Sequence, residues 1–345
     1  GFAQSKYDSC LLMKPNMMMV LYVDDAGISA KYKKDVDDLI DNLRNRGFEL
    51  TREGSFSEFL GIKFVRDDKE GTITATQQGL IQKIIKTTNM EDSNPNWTPA
   101  LTTALGIDPD GEPMDEEWSY PSVVGMLLYL STNTRPDITM AVSQVARFNH
   151  SPKKSHATAV KMIIRYLKRT HDKGTVIRPT GTLELDCWVD ASFGNLYKVD
   201  PDDEPSAAKS REGYIITLGG CPLLWRSRLQ STIALSTQEA EYSALSHSMR
   251  TLLPIRAVVI ELTSALNLPH HLSATIRSRV FEDNNGALLL ATNQRITSRT
   301  KHYLIQWHFF WTHMKDGRVI VERVSTNLQR ADYMTKGMPR VPYET

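Results

Sequence analysis

The stretch TQEAEYSALSHSMRTLLPIRAVVIELTSALN, Thr237 to Asn267, constrains this chain more than any other. Residues 241, 245, 248, 252, 255, 259, 262 and 266 are Glu, Leu, Ser, Leu, Ile, Val, Leu and Leu, a stripe at spacings of three and four. That is one face of a long helix, and an apolar face needs a sheet or another helix to cover it. Glu241 heads the stripe, where a carboxylate is costly unless it is paired or holds a metal. Glu239, about 200° around the helix, is expected to face solvent or act near the N-cap, with Thr237 as the helix start. Pro254 is expected to kink or divide the helix. The cover is in the flanking sequence. LELDCWVDASFG, GYIITLGGCPLLW and STIALS precede the helix as strand-like runs, and ATIRSRVFEDN and RVIVERVST follow it. Shorter helical runs lie at Gly286 to Asn293, His302 to Met314 and QRADYMTK. Residues 179–345 therefore read as one α/β unit.

Upstream, Met17 to Val23 is apolar and β-prone, Asp24 and Asp25 sit at a turn, and Ile28 begins a return strand. DVDDLIDNLRNRGFEL carries Val36, Leu39, Ile40 and Leu43 at helical spacing, with Gly47 placed to end it. FSEFLGIKFVRD and GTITATQ form a second strand pair around a charged turn. PNWTPALTTALGIDPDGEPMDEEWSYP is a linker rich in Pro, Gly and acids. SVVGMLLYLS, ITMAVSQVARFN and HATAVKMIIRYLKRT then read as helices, separated by turns at Arg135-Pro136-Asp137 and Ser151-Pro152. The expected division is 1–96, 97–178 and 179–345, in a chain that is α/β, or α+β overall.

A chain of 345 residues at 41% hydrophobic can bury two or three cores. No apolar run reaches the roughly 18 residues that span a bilayer, and the first residues lack a signal-peptide layout, so a soluble protein is expected. Cys10, Cys187 and Cys221 are odd in number and widely spaced, which fits a reducing compartment and argues against a disulfide framework or zinc knuckle. The net charge of +1 hides segregation: Lys153 to Arg178 holds eight Lys or Arg against the single acid Asp172. Such a run suits a polyanion contact, and a solvated helix face accounts for it equally well. Within it Lys161, Arg165, Lys168 and Arg169 recur at helical spacing and are candidates to follow a phosphate backbone. Trp225, Arg226 and Arg228 are candidates for stacking and charge, although a Trp closing a strand is more often core. His302 and His308, six residues apart, do not share a helix face and read as structural.

Asp190 and Asp283 each lie where a strand runs out, the place where open α/β sheets put their ligands. Either one alone reads as a turn acid; two at equivalent places are harder to dismiss. Asp332, in the last short helix, is the fourth candidate and the weakest on pattern alone. Asp24-Asp25 before Ala-Gly reads, by itself, as a polar turn.

WVDASFG, LSTQEAEYSAL, FEDNNGALLLA and STNLQRADYMTKGM together resemble the ribonuclease H domain of copia-type LTR retrotransposons. YPSVVGMLLYL, TRPDITMAVSQVARF and IIRYLKRT resemble the segment joining that domain to reverse transcriptase, and LYVDDAGIS with FLGIKF resembles the end of the polymerase palm. The resemblance runs through nearly the whole chain in the family's order. It implies a partial palm, a small helical thumb or connection domain, and a ribonuclease H-like mixed sheet flanked by helices. It places the family's four acids at Asp190, Glu241, Asp283 and Asp332, in agreement with the helical phase that favours Glu241 over Glu239. It further implies two Mg²⁺ ions, replaceable by Mn²⁺, bound by those acids, and an RNA:DNA hybrid as substrate. Asn284, Asn285, Gln238 and the backbone near Ser192 would read the 2′-hydroxyl. The implied partner is the upstream fingers and palm portion of the polymerase, with no membrane, in a cytoplasmic virus-like particle or the nucleus. Asp24 and Asp25 would be metal ligands of the polymerase site, whose third acid has no counterpart in this sequence, so no DNA synthesis by this chain alone is expected. A DDE-type integrase would carry its glutamate last, on a late helix, whereas Glu241 lies on the helix directly after the third strand. A catalytically inactive, repurposed nucleic-acid-binding protein is the other reading, and the presence of all four acids argues against it. The acidic insert KVDPDDEPSAAK is expected to be a mobile loop that narrows access to Asp190.

Overall fold

The computed structural model describes residues 1–52, 54, 56–115, 117–269, 276–293 and 308–339. At its C-terminal end is a five-stranded sheet of β9 (Leu185–Ser192), β10 (Arg211–Leu218), β11 (Cys221–Leu229), β12 (Ser278–Glu282) and β13 (Ile320–Arg323), in the order β11-β10-β9-β12-β13. The β9-β10-β11 half is antiparallel, and β12 pairs in parallel with both β9 and β13. Gly219 and Gly220 close the β10-β11 hairpin with positive φ at both positions, which a side chain would strain. Leu185, Cys187, Val189 and Ala191 alternate along β9 and pack with Leu245, Met249 and Leu252 of the long helix α6 (Thr237–Ala265). The sheet and α6 thus bury each other's apolar faces, and this mixed α/β unit is the expected ribonuclease H-like architecture.

Three expectations for this unit need correction. STIALS is not a strand: β11 ends at Leu229, and Ser236 has left the sheet to cap α6 with its hydroxyl on the Glu239 N–H. Thr237 is the first helical residue, where the helix start was expected. Pro254 lies within α6 without dividing it, and both its ring and Arg250, whose carbonyl loses its intrahelical donor to the proline, are on the exposed side of the helix. The insert after β9 is not a free loop, because Asp200 is buried and bound to Arg147 at 2.7 Å, to the Ile107 N–H at 2.9 Å and to the Ser206 hydroxyl at 3.0 Å. After β12 comes helix α7 (Asn285–Asn293), and of the helix expected from His302 only residues from 308 onward are described: a 3₁₀ turn, then helix α8 (Trp311–Lys315). His302 lies outside the described residues, as does the side chain of His308.

The middle of the chain is helical. α2 (Gln78–Thr87), α3 (Tyr120–Asn133), α4 (Thr139–Val145) and α5 (Lys154–Arg169) share a core that includes Ile84, Val124, Leu127, Val142, Ile163 and Leu167. The Arg135-Pro136-Asp137 turn organises it from within. The buried Arg135 guanidinium grips the Asp137 carboxylate and donates to the Thr170 carbonyl at 2.8 Å, so its charge is paired and its donors are used. The C-terminal sheet is tied to these helices by the Trp225 Nε1–H donating to the Ser131 carbonyl at 2.6 Å and by Arg211 Nη1 donating to Ser143 Oγ at 2.9 Å. Trp225 is therefore a core residue, as its place at the end of a strand-like run suggests.

The first residues form a four-stranded antiparallel sheet: β1 (Ala3–Gln4), β2 (Leu11–Lys14), β3 (Met17–Tyr22) and β4 (Asp25–Ala30). Asp8 lies in the turn between β1 and β2 rather than in a strand, its carboxylate accepting from the Cys10 N–H. Helix α1 (Lys33–Asn45) follows. β5 (Glu58–Phe59), β6 (Ile62–Asp67) and β7 (Thr72–Thr76) make another sheet, which β8 (Thr175–Ile177) joins after α5. The N-terminal sheet is anchored on α6 by Glu261, whose carboxylate accepts from the Ser5 hydroxyl at 2.5 Å and the Lys6 N–H at 3.0 Å.

Candidate metal centre

Asp190 lies inside β9 rather than past its end, paired in register with Gly213 of β10. It alternates with the core residues of β9, so it faces away from them toward the last short helix, α9 (Asp332–Thr335). Asp283 follows β12 directly, and Glu241 stands in the second turn of α6. These elements bring one carboxylate oxygen from each of Asp190, Glu241 and Asp283 within 4.8 Å of one another. Asp190 and Glu241 are only 2% and 4% exposed, while Asp283 is half-buried and opens the group to solvent.

The electrostatics follow from that crowding. Burial, reinforced by Glu282, Asp190 and Asp283, pushes the Glu241 carboxyl up to about 11. Burial raises Asp190 to about 6 against the opposing pull of Lys336 and of the Thr335 hydroxyl, which donates to Asp190 Oδ2. Glu241 Oε2 is buried with no hydrogen-bond partner. All the donors are carboxylate oxygens, which suits a hard divalent cation such as Mg²⁺ or Mn²⁺. A cation there would fill the orphaned valence of Glu241 and relieve the repulsion among the three, so the residues fit a metal.

Asp332 is not in this group of three. Its Oδ1 accepts from Lys336 Nζ at 2.8 Å, and the same ammonium stands 3.6 Å from Asp190 Oδ2. Sequence reasoning also missed Glu282, which is fully buried, has one unpartnered oxygen, and is raised well above the ordinary range first by burial. The signal was in the strand parity: Val280 and Glu282 share the core-facing phase of β12. Thr335 and Lys336 were legible only as neighbours of Asp332.

The start of α6 is held by two bonds, one into the helix and one to the residue before its N-cap. The Ser236 hydroxyl takes the Glu239 N–H, and the Glu239 carboxylate takes the Leu235 N–H at 2.9 Å. Glu239 is buried rather than solvent-facing, because α6 is enclosed on every side from Glu239 to Met249. Gly213 is required opposite Asp190: a Cβ there would stand 2.3 Å from Met334 Cβ. Gly213→Ala is therefore expected to push α9 off the sheet and to lower stability by about 2 kcal/mol in urea unfolding.

The other candidates are scattered. Asn284 caps the helix Asn285–Asn293 by accepting from the Ala287 N–H at 3.0 Å, and Gln238 Nε2 donates to the Gly286 carbonyl at 3.1 Å. Asn285 is exposed. Arg226 is exposed on β11, whereas Arg228 pairs with the buried Glu212 at 2.5 Å, and Glu212 also meets His247 Nδ1 at 2.6 Å. In the basic run, Arg165 donates to the Asn94 carbonyl, Lys168 to the Glu91 and Ser93 carbonyls, and Arg169 lies over the Trp97 ring. These three side chains hold the segment that follows α2. Lys161 lies beside Asp115 and Glu117 in a small polar recess. Asp24 and Asp25 are exposed at the tip of the β3-β4 hairpin, about the tight turn at Val23, and no third acid among the described residues completes a group with them.

A mixed sheet in this order, crossed by one long helix and carrying a centre of converging carboxylates, defines a ribonuclease H-like domain, here preceded by a helical unit and two small antiparallel sheets. Residues 1–102 match the family of reverse transcriptases, RNA-dependent DNA polymerases. Over 348 residues, 100% of this chain and 22% of the relative, the chain is 31% identical to the retrovirus-related Pol polyprotein from transposon RE1 of Arabidopsis thaliana. It is 31% identical over 335 residues to that from transposon TNT 1-94 of Nicotiana tabacum, covering 95% of this chain and 24% of the relative. The chain belongs to the copia-type retrotransposon Pol family, and it spans between a fifth and a quarter of the length of these relatives. Among solved structures, an LC11 ribonuclease H1 isolated from compost aligns with 44% of this chain and 93% of its own at 13% identity. Its TM-score of 0.31 adds nothing to the topology described above.

Proposed function

We propose that this chain is a divalent-metal-dependent endonuclease that hydrolyses the RNA strand of RNA:DNA hybrids, with Mg²⁺ as the cofactor. The observation that carries the reading is the convergence of Asp190, Glu241 and Asp283 within 4.8 Å, with a buried Glu241 oxygen left unpartnered. Two bound ions would stabilise the attacking and leaving oxygens of an in-line displacement at phosphorus. Glu241 and Asp283 would hold the ion on the leaving-group side, Asp332 the ion on the side of the attacking water, and Asp190 both. The Ser236 cap, the Glu239 bond to Leu235 and the β9-β12 pairing keep Glu241, Asp190 and Asp283 oriented before substrate arrives. The products would carry 5′-phosphate and 3′-hydroxyl ends. Arg226 and Asn285, exposed and uncommitted, are the proposed contacts to the hybrid. The proposal further holds that the polymerase half needs the upstream fingers and palm, and that the element works in a cytoplasmic particle or the nucleus.

Cleavage of an end-labelled hybrid by the purified chain, with Mg²⁺ and with chelator, tests the reading. Asp190→Asn is expected to lower the rate by about 10³-fold or more, the scale of losing one preorganised charge at the reacting centre, while hybrid binding persists. Undiminished cutting by that variant would sink the assignment, and hybrid binding without cutting by the wild type would make the chain a repurposed binding protein.

A further inference from the structure

The fourth acid is separated from the other three by a side chain that carries its own positive charge. Lys336 follows α9 immediately, four residues after Asp332, and its ammonium bridges Asp332 at 2.8 Å and Asp190 at 3.6 Å. The two carboxylates are enclosed, at 16% and 3% side-chain exposure, whereas Lys336 is 44% exposed. A second metal ion shared by Asp190 and Asp332 would need the place this ammonium holds. Asp190 Oδ2 is also taken by the buried Thr335 hydroxyl, which anchors the residue beside Lys336 to the sheet. Lys336 is thus delivered to the centre by its backbone position and remains free to leave, since its flexible stem reaches solvent.

We propose that Lys336 is a tethered cation that occupies the Asp190–Asp332 side of the centre. A first divalent ion then enters among Asp190, Glu241 and Asp283, and a second must displace the ammonium. The inference rests on the metal-centre reading above and adds to it an asymmetry: two ions of unequal affinity, the weaker set by a lysine. With no metal bound, the same ammonium offsets charge on Asp190 and Asp332, the two carboxylates it bridges. It is a positioning residue and need not touch substrate.

The test is Mn²⁺ binding to the full chain, followed by electron paramagnetic resonance and titration calorimetry without nucleic acid. The wild type is expected to bind one ion tightly and a second more weakly. Lys336→Met is expected to strengthen the second site by about tenfold, the scale of removing one nearby like charge from a partly solvated position. The first site should change less. Lys336→Arg, which keeps the charge, should retain the weak second site, and Asp332→Asn should lose that site in either background. Should Lys336→Met fail to fold by circular dichroism, Lys336→Gln replaces it. Identical affinities in the wild type and the neutral variant would overturn the proposal while leaving the metal centre standing. Absence of any bound Mn²⁺ in the wild type would overturn the metal centre itself, and this inference with it.

Discussion

Glu241→Gln is expected to make the metal-free protein more stable and the metal-loaded one inactive. Burial holds the Glu241 carboxyl at about 11 in the folded protein, against an ordinary 4.5. The folded state therefore binds a proton that the unfolded state has released at neutral pH. The sign follows from linkage: a group raised on folding contributes its stability fully below the unfolded value, and that contribution is lost as pH rises from there toward the folded value. By pH 7 the loss amounts to roughly 3 kcal/mol, at about 1.4 kcal/mol for each unit above 4.5. An amide at this position carries no charge to lose. Its N–H₂ can donate to the Asp190 and Asp283 carboxylates, and its carbonyl can accept the Ala191 N–H that Glu241 accepts now. In chelator at pH 7 the variant should melt several degrees above the wild type, and its stability should fall less steeply between pH 5 and 8. Added Mn²⁺ should raise the melting temperature of the wild type and leave the variant's nearly unmoved. A wild-type stability that does not fall with pH in chelator would show that Glu241 is not a buried, proton-holding acid.

Arg147→Ala is expected to cost about 3 kcal/mol, the usual result of leaving one member of a buried ion pair without its partner. Asp200 is fully enclosed and Arg147 nearly so, and the guanidinium also donates to the Leu105 carbonyl at 2.9 Å. With Arg147 gone, the Asp200 carboxylate keeps only the Ile107 N–H and the Ser206 hydroxyl, two neutral donors for a buried charge. Thermal and urea unfolding of Arg147→Ala, Asp200→Asn and the double variant would measure the coupling. The double variant should recover most of the loss, because neither partner is then left charged and alone. Simple addition of the two single effects would mean that the pair does not fasten the insert to the helical unit.

The sequence was most readable where one period governed many residues. Helical phase separated Glu241 from Glu239, and β-prone apolar runs punctuated by glycine located β9 through β11, two of which the core encloses on both faces. It was least readable where a single tertiary contact decided the outcome. STIALS has strand composition, yet the Ser236 cap needs the chain to leave the sheet before α6 begins. Asp200 looks like one acid of a solvated loop until Arg147, 53 residues away in sequence, comes to meet it. Arg165, Lys168 and Arg169 have the spacing of a phosphate-tracking face, and in the fold the Arg165 Nε–H, the Lys168 ammonium and the Arg169 guanidinium each also meet a carbonyl or the indole of residues 91–97. The centre shows the same division. Asp283 was readable from a strand end and Glu241 from one helix stripe, Asp190 was expected at a strand end and lies within β9, and the lysine lodged beside it depends on how α9 settles over Gly213.

Helix α6 also works as a ruler. Glu241 near one end points into the carboxylate cluster, and Glu261, twenty residues on, grips Ser5 and Lys6, just past β1 of the N-terminal sheet. At 1.5 Å per residue those two points lie about 30 Å apart along the axis, close to nine steps of a nucleic-acid strand at roughly 3.4 Å each. One uninterrupted element thus sets the interval between the N-terminal sheet and the centre. Inserting four residues after Pro254 would lengthen it by about 6 Å, one helical turn, and would rotate the two ends by little. Wherever the two ends touch one duplex, the distance between the points of contact is written in the length of this helix.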